Sequence, residues 1–208
     1  MKKYDSKHKL LLAIVLFLFV FISNEIWNSA QKDKIITNQE KNIQNLDGNL
    51  SILKHNMMEQ MASTGISVDQ PSFLIGHENR RRLLSQMKFG SLLAVRISPL
   101  SCSICVDSTM LDLRKFLTNN KLKNRVIILT SYNTERDLVL FRRLHQMGDI
   151  EIFNIKENEI SLAIENEKKP YMFIIDSTLI SRSLFIPEKT ISGLTNLYLT
   201  SIKKNFLK

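Results

Sequence analysis

Residues 91–105 read SLLAVRISPLSCSIC, and this stretch decides the fold class. Ser91 to Ile97 is a continuous apolar run broken only by Arg96, the pattern of a strand buried on both faces of a parallel sheet. Pro99 punctuates it, and Cys102-Ser103-Ile104-Cys105 then opens a helix-like segment whose inner face carries Val106, Met110, Leu113 and Leu117. These are the chain's two cysteines, and chance would space two so in only about one arrangement in a hundred. A thiol at a helix N-terminus feels the positive end of the helix dipole, which favours the reactive thiolate. A dithiol at this spacing can close and reopen, so the chemistry expected is redox, with metal binding as its main competitor.

Outward from this stretch the pattern stays regular. Arg125 to Thr130 reads as a second buried strand, and Thr134 caps a helix carrying Leu140, Leu144 and Met147 that Gly148 ends. Ile150 to Ile155 is a short strand, and Ile160 to Glu165 is a weak strand or part of a helix. Tyr171 to Asp176 and Leu179 to Ile186 form a tight hairpin, and a helix from about Thr190 presents Ile191, Leu194, Tyr198 and Ile202. Upstream, Ser72 to Gly76 reads as an edge strand and Glu78 to Lys88 as a basic helix. The order β-α-β-α-(β)-β-β-α predicts an α/β sheet covered on both faces.

The N-terminal third differs. Leu10 to Ile22 is thirteen uncharged apolar residues behind Lys2, Lys3, Lys7 and Lys9. As a helix this reaches only about 20 Å, short of the ~30 Å hydrocarbon layer. Ser23 and Asn24 extend it, Trp27 suits the interface, and Lys9 can snorkel at the other end. With no A-x-A-like site following, an uncleaved signal anchor is favoured over a cleaved peptide. In both cases the lysines stay inside and the remainder is exported. From Gln31 to Ser63 the chain is polar, with Ile36, Ile43, Leu46, Leu50, Leu53 and Met57 in an a/d pattern that Asp47-Gly48-Asn49 interrupts. This predicts a helical stalk that can pair two copies as a coiled coil. Thr64 to Gln70 reads as a linker. The expected division is therefore 1–27 cytoplasmic tail and anchor, 28–70 stalk and linker, and 71–208 α/β domain.

The net charge of +9 does not make a nucleic-acid binder. Arg80-Arg81-Arg82 has no interleaved aromatics and reads as a solvated helix face. Zinc needs four ligands in a closed site and the cysteines give two. His8, His55, His77 and His145 lack ligand spacing and read as surface residues, so no metal site is expected, although two thiolates can hold copper. Outside the cytoplasm a lone Cys-x-x-Cys is a staple or a catalytic couple, and a staple closing two intervening residues constrains little of the unfolded chain.

The element order, the dithiol after the first central strand, and Pro170 ahead of the hairpin strand Tyr171-Met172-Phe173-Ile174-Ile175-Asp176 resemble the thioredoxin superfamily. More narrowly, the chain resembles the membrane-tethered TlpA/ResA-type thiol-disulfide oxidoreductases over Phe73 to Lys208. Phe185-Ile186-Pro187 fits the end of that family's hairpin, and the 68-residue gap from Cys102 to Pro170 leaves room for its insertion. The resemblance implies a thioredoxin-like fold, a central mixed sheet flanked by helices, behind a transmembrane helix and stalk.

It further implies that Cys102 attacks a partner disulfide, that Cys105 resolves the mixed disulfide, and that a cis Lys169–Pro170 bond faces the dithiol. No cofactor is implied. The partners implied are a protein disulfide substrate and a membrane electron donor, with the domain on the periplasmic side of a bacterial inner membrane. The chain departs from the family in three ways: Ser101 replaces a tryptophan or other bulky residue, no Asp or Glu lies between Glu78 and Asp107 to relay Cys105's proton, and the hairpin's usual Asp-Gly is Asp176-Ser177-Thr178. Arg96 lies near the strand end that leads to the dithiol and, if close, would favour a thiolate. A redox-sensing or idle binding module and a copper-binding chaperone are the alternative readings.

Overall fold

The computed structural model describes residues 3–68, 74–75, 81–82, 90–120, 122–148, 150–156, 159–191 and 193–207. They form two compact units, Met1–Ser51 and Ile52–Lys208. The first is helical throughout its described length and belongs to α1, Lys3–Ser63. Helix continues through Asp47, Gly48 and Asn49, so the expected interruption does not occur. A side chain at position 48 would meet nothing within 4 Å. Glycine there costs about 1 kcal/mol relative to alanine, too little to break a long helix. Leu10 to Leu12 and Ile14 to Ile22 are all exposed along α1, and among the described residues this is the one helix long and apolar enough to cross a membrane.

The second unit is built on a seven-stranded sheet of order β2-β1-β5-β4-β3-β6-β7. The strands are β1 (Leu74–Ile75), β2 (Arg81–Arg82), β3 (Ser91–Arg96), β4 (Val126–Thr130), β5 (Glu151–Asn154), β6 (Tyr171–Asp176) and β7 (Arg182–Phe185). Central β3 pairs in parallel with β4, Leu93 opposite Val126, and antiparallel with β6, Ala94 opposite Phe173. The helices are α2 (Ser103–Asn120), α3 (Glu135–Leu144) and α4 (Leu194–Asn205). The part of the Glu78–Lys88 stretch that is described, Arg81–Arg82, is strand, paired with β1. His77 and the rest of that stretch lie outside the described residues.

Side-chain alternation divides the sheet's two faces. Leu93, Val95 and Ile97 join Val106, Met110, Leu113 and Leu117 of α2, Phe141 of α3, and Leu199 and Ile202 of α4 in one core. Leu92 and Ala94 join Tyr171, Phe173 and Ile175 on the other side, with Ile160, Leu162, Ile164 and Val68. The second face is thus covered by irregular chain, including a 3-10 turn at Ala163–Glu167. The expected linker is part of this cover. Gly65, at φ 82°, ends α1, and its N–H donates to the Ser181 carbonyl. The Val68 N–H donates to Leu179, and Ser67 bridges Ile180. Residues 65–68 thereby extend the hairpin's hydrogen bonding.

Two details of α3 differ from expectation. Thr134 caps it, its hydroxyl accepting from the Asp137 N–H at 3.2 Å. The buried residue, however, is Phe141, while Leu140 and Leu144 are exposed. The chain turns after the helix at Gln146, φ 55°, not at Gly148. A ten-residue helix offers two apolar stripes of the right period, and the sheet selects the one with the aromatic ring.

Candidate functional site

The dithiol lies where β3 runs out toward α2. Beyond the strand, the Ile97 N–H donates to the Leu129 carbonyl at 2.9 Å and holds the chain against β4. Two serines then shape the turn. The Ser98 N–H donates to the Ser101 hydroxyl at 3.3 Å, the Leu100 N–H to the Ser98 hydroxyl at 3.2 Å, and the Ser101 N–H to the Ser98 carbonyl at 2.9 Å. Ser101, where the resembling family keeps a bulky residue, is a turn-forming residue here. Leu100 and Ile104 project beside the dithiol as exposed apolar side chains.

Cys102 immediately precedes α2, and its carbonyl accepts the helix's first bond from the Val106 N–H at 3.0 Å. Both cysteines are free thiols, Cys102 exposed and Cys105 partly buried. The Cys102 thiol is held below its ordinary pKa, first by the Cys105 S–H donating to it, then by the Cys105 backbone N–H and the Lys189 ammonium. Cys105 moves the other way, to about 11, because it is partly buried, because it hydrogen-bonds Cys102, and because the Cys102 and Glu188 charges oppose its ionisation. The pair therefore divides labour: an accessible sulfur that ionises readily, and an inner one that holds its proton.

Arg96 is placed elsewhere. It sits one residue out of phase with Leu93, Val95 and Ile97, so it shares the face of Leu92 and Ala94, away from α2. There it is 1 % exposed, and its Nε and Nη2 donate to Glu165 Oε1 and Oε2 at 2.9 and 3.0 Å. The Tyr171 hydroxyl also donates to Glu165 Oε1, at 2.6 Å. Arg96 is therefore a buried partner of Glu165, and the cation acting on the dithiol is Lys189. The chain does contain a buried carboxylate, Glu165, but arginine and tyrosine hold it on the far side of the sheet.

Pro170 is buried at the start of β6, next to Tyr171, which pairs with Arg96. The Lys169–Pro170 bond is trans, since no cis peptide occurs among the described residues. Lys168, left-handed at φ 52° after the 3-10 turn, supplies the chain reversal, and the trans isomer is the intrinsically favoured one for a proline. Just upstream, Glu167 accepts from His55 at 3.2 Å and pairs with Lys169 at 3.4 Å. His145 is not a surface residue: its ring lies 4.5 Å from Phe141, and its Nδ1 is 3.9 Å from Asp107.

Sequence reasoning missed Lys189 and Glu188. The only signal was position, since they directly follow Phe185-Ile186-Pro187 at the hairpin's end. It missed the Arg96–Glu165 pair too, although an arginine in a buried strand requires a counter-charge.

No protein-family model and no curated protein sequence matches the chain. Among solved structures, a thiol:disulfide interchange protein from Bacteroides sp. is similar at TM-score 0.51 and 14% identity, covering 69% of this chain and 90% of that one. A candidate electron transfer protein from Aquifex aeolicus VF5 is similar at TM-score 0.52 and 11% identity, covering 66% and 92%. At these identities the likeness is one of fold.

Proposed function

We propose, from a chain whose fold is thioredoxin-like, that its Cys102–Cys105 pair is the redox centre of an exported thiol-disulfide oxidoreductase tethered to a membrane by α1. The observation that carries this is the opposed titration of the two thiols at the start of α2, with Cys102 lowered and exposed and Cys105 raised to about 11.

The Cys102 thiolate attacks one sulfur of a partner disulfide. A Cys102–partner disulfide forms, and the partner's other sulfur leaves as thiolate and takes up a proton. Bonding to the partner also removes the charge on Cys102, and with it two of the four effects holding up Cys105; burial and Glu188 remain. Cys105 then loses its proton and attacks Cys102. The Cys102–Cys105 disulfide forms and the second partner sulfur leaves. Two electrons and two protons have reached the partner, and a membrane electron donor restores the dithiol. Lys189 favours the thiolate at each stage.

The tether reading rests on the exposed apolar run from Leu10 to Ile22 within an unbroken helix, and on the lysines preceding it. In a two-membrane bacterium this puts the domain in the periplasm. There the dithiol would serve as a reductant for a dedicated protein partner.

Equilibrating the full chain, in detergent, with thiol buffers gives the potential of the couple. A reversible value near −270 mV, with exchange toward oxidised glutathione lost in Cys102→Ser, is the expected result. A value near −120 mV reverses the direction, and a pair that exchanges with nothing overturns the enzyme. That last outcome would leave a tethered binding module; the raised Cys105 argues against metal capture, which needs both thiols ionised. Carbonate extraction of membranes tests the anchor independently.

A further inference from the structure

We infer that the stalk portion of α1 is a two-stranded parallel coiled coil, in register with a second copy of this chain. Its seam carries Ile36, Ile43 and Leu50 at one core position and Gln39 and Leu46 at the other. Within the first unit the four apolar members are 50% to 66% exposed. In sequence the same spacing continues with Leu53 and Met57. Within the second unit the end of α1 turns Asn56 and Ser63 inward, while Leu53 and Met57 stay exposed.

Several observations select a second copy as occupant. Ile36 and Ile43 at the first core position, with Leu46 and Leu53 at the second, favour two parallel strands. The flanking positions that meet across such a dimer are Ile35 with Glu40, Asn42 with Asp47, and Asn49 with Lys54, so no like charges face each other. Gly48 falls on the outer surface, five residues beyond Ile43, where its missing side chain removes nothing from the seam. Six apolar side chains from each copy would bury on the order of 1,000 Å², the scale at which specific interfaces begin. The parallel orientation rests on the membrane-tethered reading, because two copies crossing one membrane in the same sense present their stalks side by side. The pairing does not depend on the redox chemistry.

The test uses the full chain, reconstituted in vesicles, with Cys102→Ser and Cys105→Ser removing the native thiols. Single cysteines are introduced by Leu46→Cys and Leu50→Cys on the seam, and by Lys41→Cys and Asn45→Cys on the opposite side. Mild oxidation is expected to link the seam variants at least tenfold more than the others. Equal linking at all four positions, or none, overturns the inference. So does linking only between unlike positions such as Ile36→Cys with Leu50→Cys, which signals an antiparallel pair. In the native-thiol chain, Leu46→Glu with Leu50→Glu is expected to halve the particle mass in detergent while leaving glutathione exchange unchanged. An unchanged mass overturns the dimer, whereas lost exchange in the wild-type chain overturns only the redox reading.

Discussion

Arg96 and Glu165, 69 residues apart in sequence, form a two-pronged buried ion pair at 2.9 and 3.0 Å on the sheet face away from α2. Tyr171 completes it from the neighbouring strand. The pair fastens the 3-10 turn ahead of Pro170 to the last residue of β3, the strand that delivers the dithiol.

Breaking that pair from one side strands a charge in the core. Arg96→Met alone is expected to lower unfolding free energy by about 3–5 kcal/mol. Arg96→Met with Glu165→Leu should recover most of it. Urea denaturation measures both. The pH dependence of Cys102 alkylation in any variant that stays folded should be unchanged, since Arg96 acts through packing and Lys189 through charge.

The dithiol should alkylate one sulfur at a time. Iodoacetamide is expected to label Cys102 alone near neutrality, as shown by peptide mass spectrometry, because Cys105 ionises only at about 11. Cys105→Ala removes the side-chain donor and should move the Cys102 titration up, toward an ordinary thiol.

Stability in the reduced state should show the opposite sign for Cys105. Its folded pKa is raised, so its contribution is complete below the ordinary thiol pKa of ~8.5 and is lost as pH climbs through about 11. The melting temperature of the reduced protein should fall across that window by more than that of Cys105→Ser.

Lys189 and Glu188 act oppositely at the site, Lys189 lowering Cys105 and Glu188 raising it. Lys189→Ala is expected to slow Cys102 alkylation at neutral pH by about twofold, an effect weakened by salt because the charge acts near the surface. Glu188→Gln should bring the Cys105 titration down. Stopped alkylation at two ionic strengths checks both.

Asn56 is 2 % exposed, and among the described residues both its amide nitrogen and oxygen lack a partner. Asn56→Leu should therefore raise stability by about 1–2 kcal/mol, read from the denaturation midpoint. A loss of stability would mean that the amide is satisfied by water.

Much of the strand pattern was legible because burial on both faces demands continuous apolar runs. Ser91–Arg96, Val126–Thr130 and Tyr171–Asp176 all carry that mark. Surface helices were less legible. In α3, Leu140 and Leu144 fit a core stripe as well as Leu138 and Phe141 do, and nothing local separates them. The linker misled for another reason: Gly65 and Ser67 look like loop residues, and their backbones pair only because the hairpin lies alongside.

The sequence by itself determined the dithiol, its place between a buried strand and a helix, the apolar N-terminal run and the heptad spacing of the stalk. All of these are local: they depend on spacing and on the solvent each residue prefers. Tertiary structure alone decided that Arg96 turns from the dithiol to Glu165 and that Lys189 is a cation acting on the thiols. Those outcomes depend on which face of the sheet a side chain enters and on what distant segment covers that face, and neither is encoded within the few residues around it.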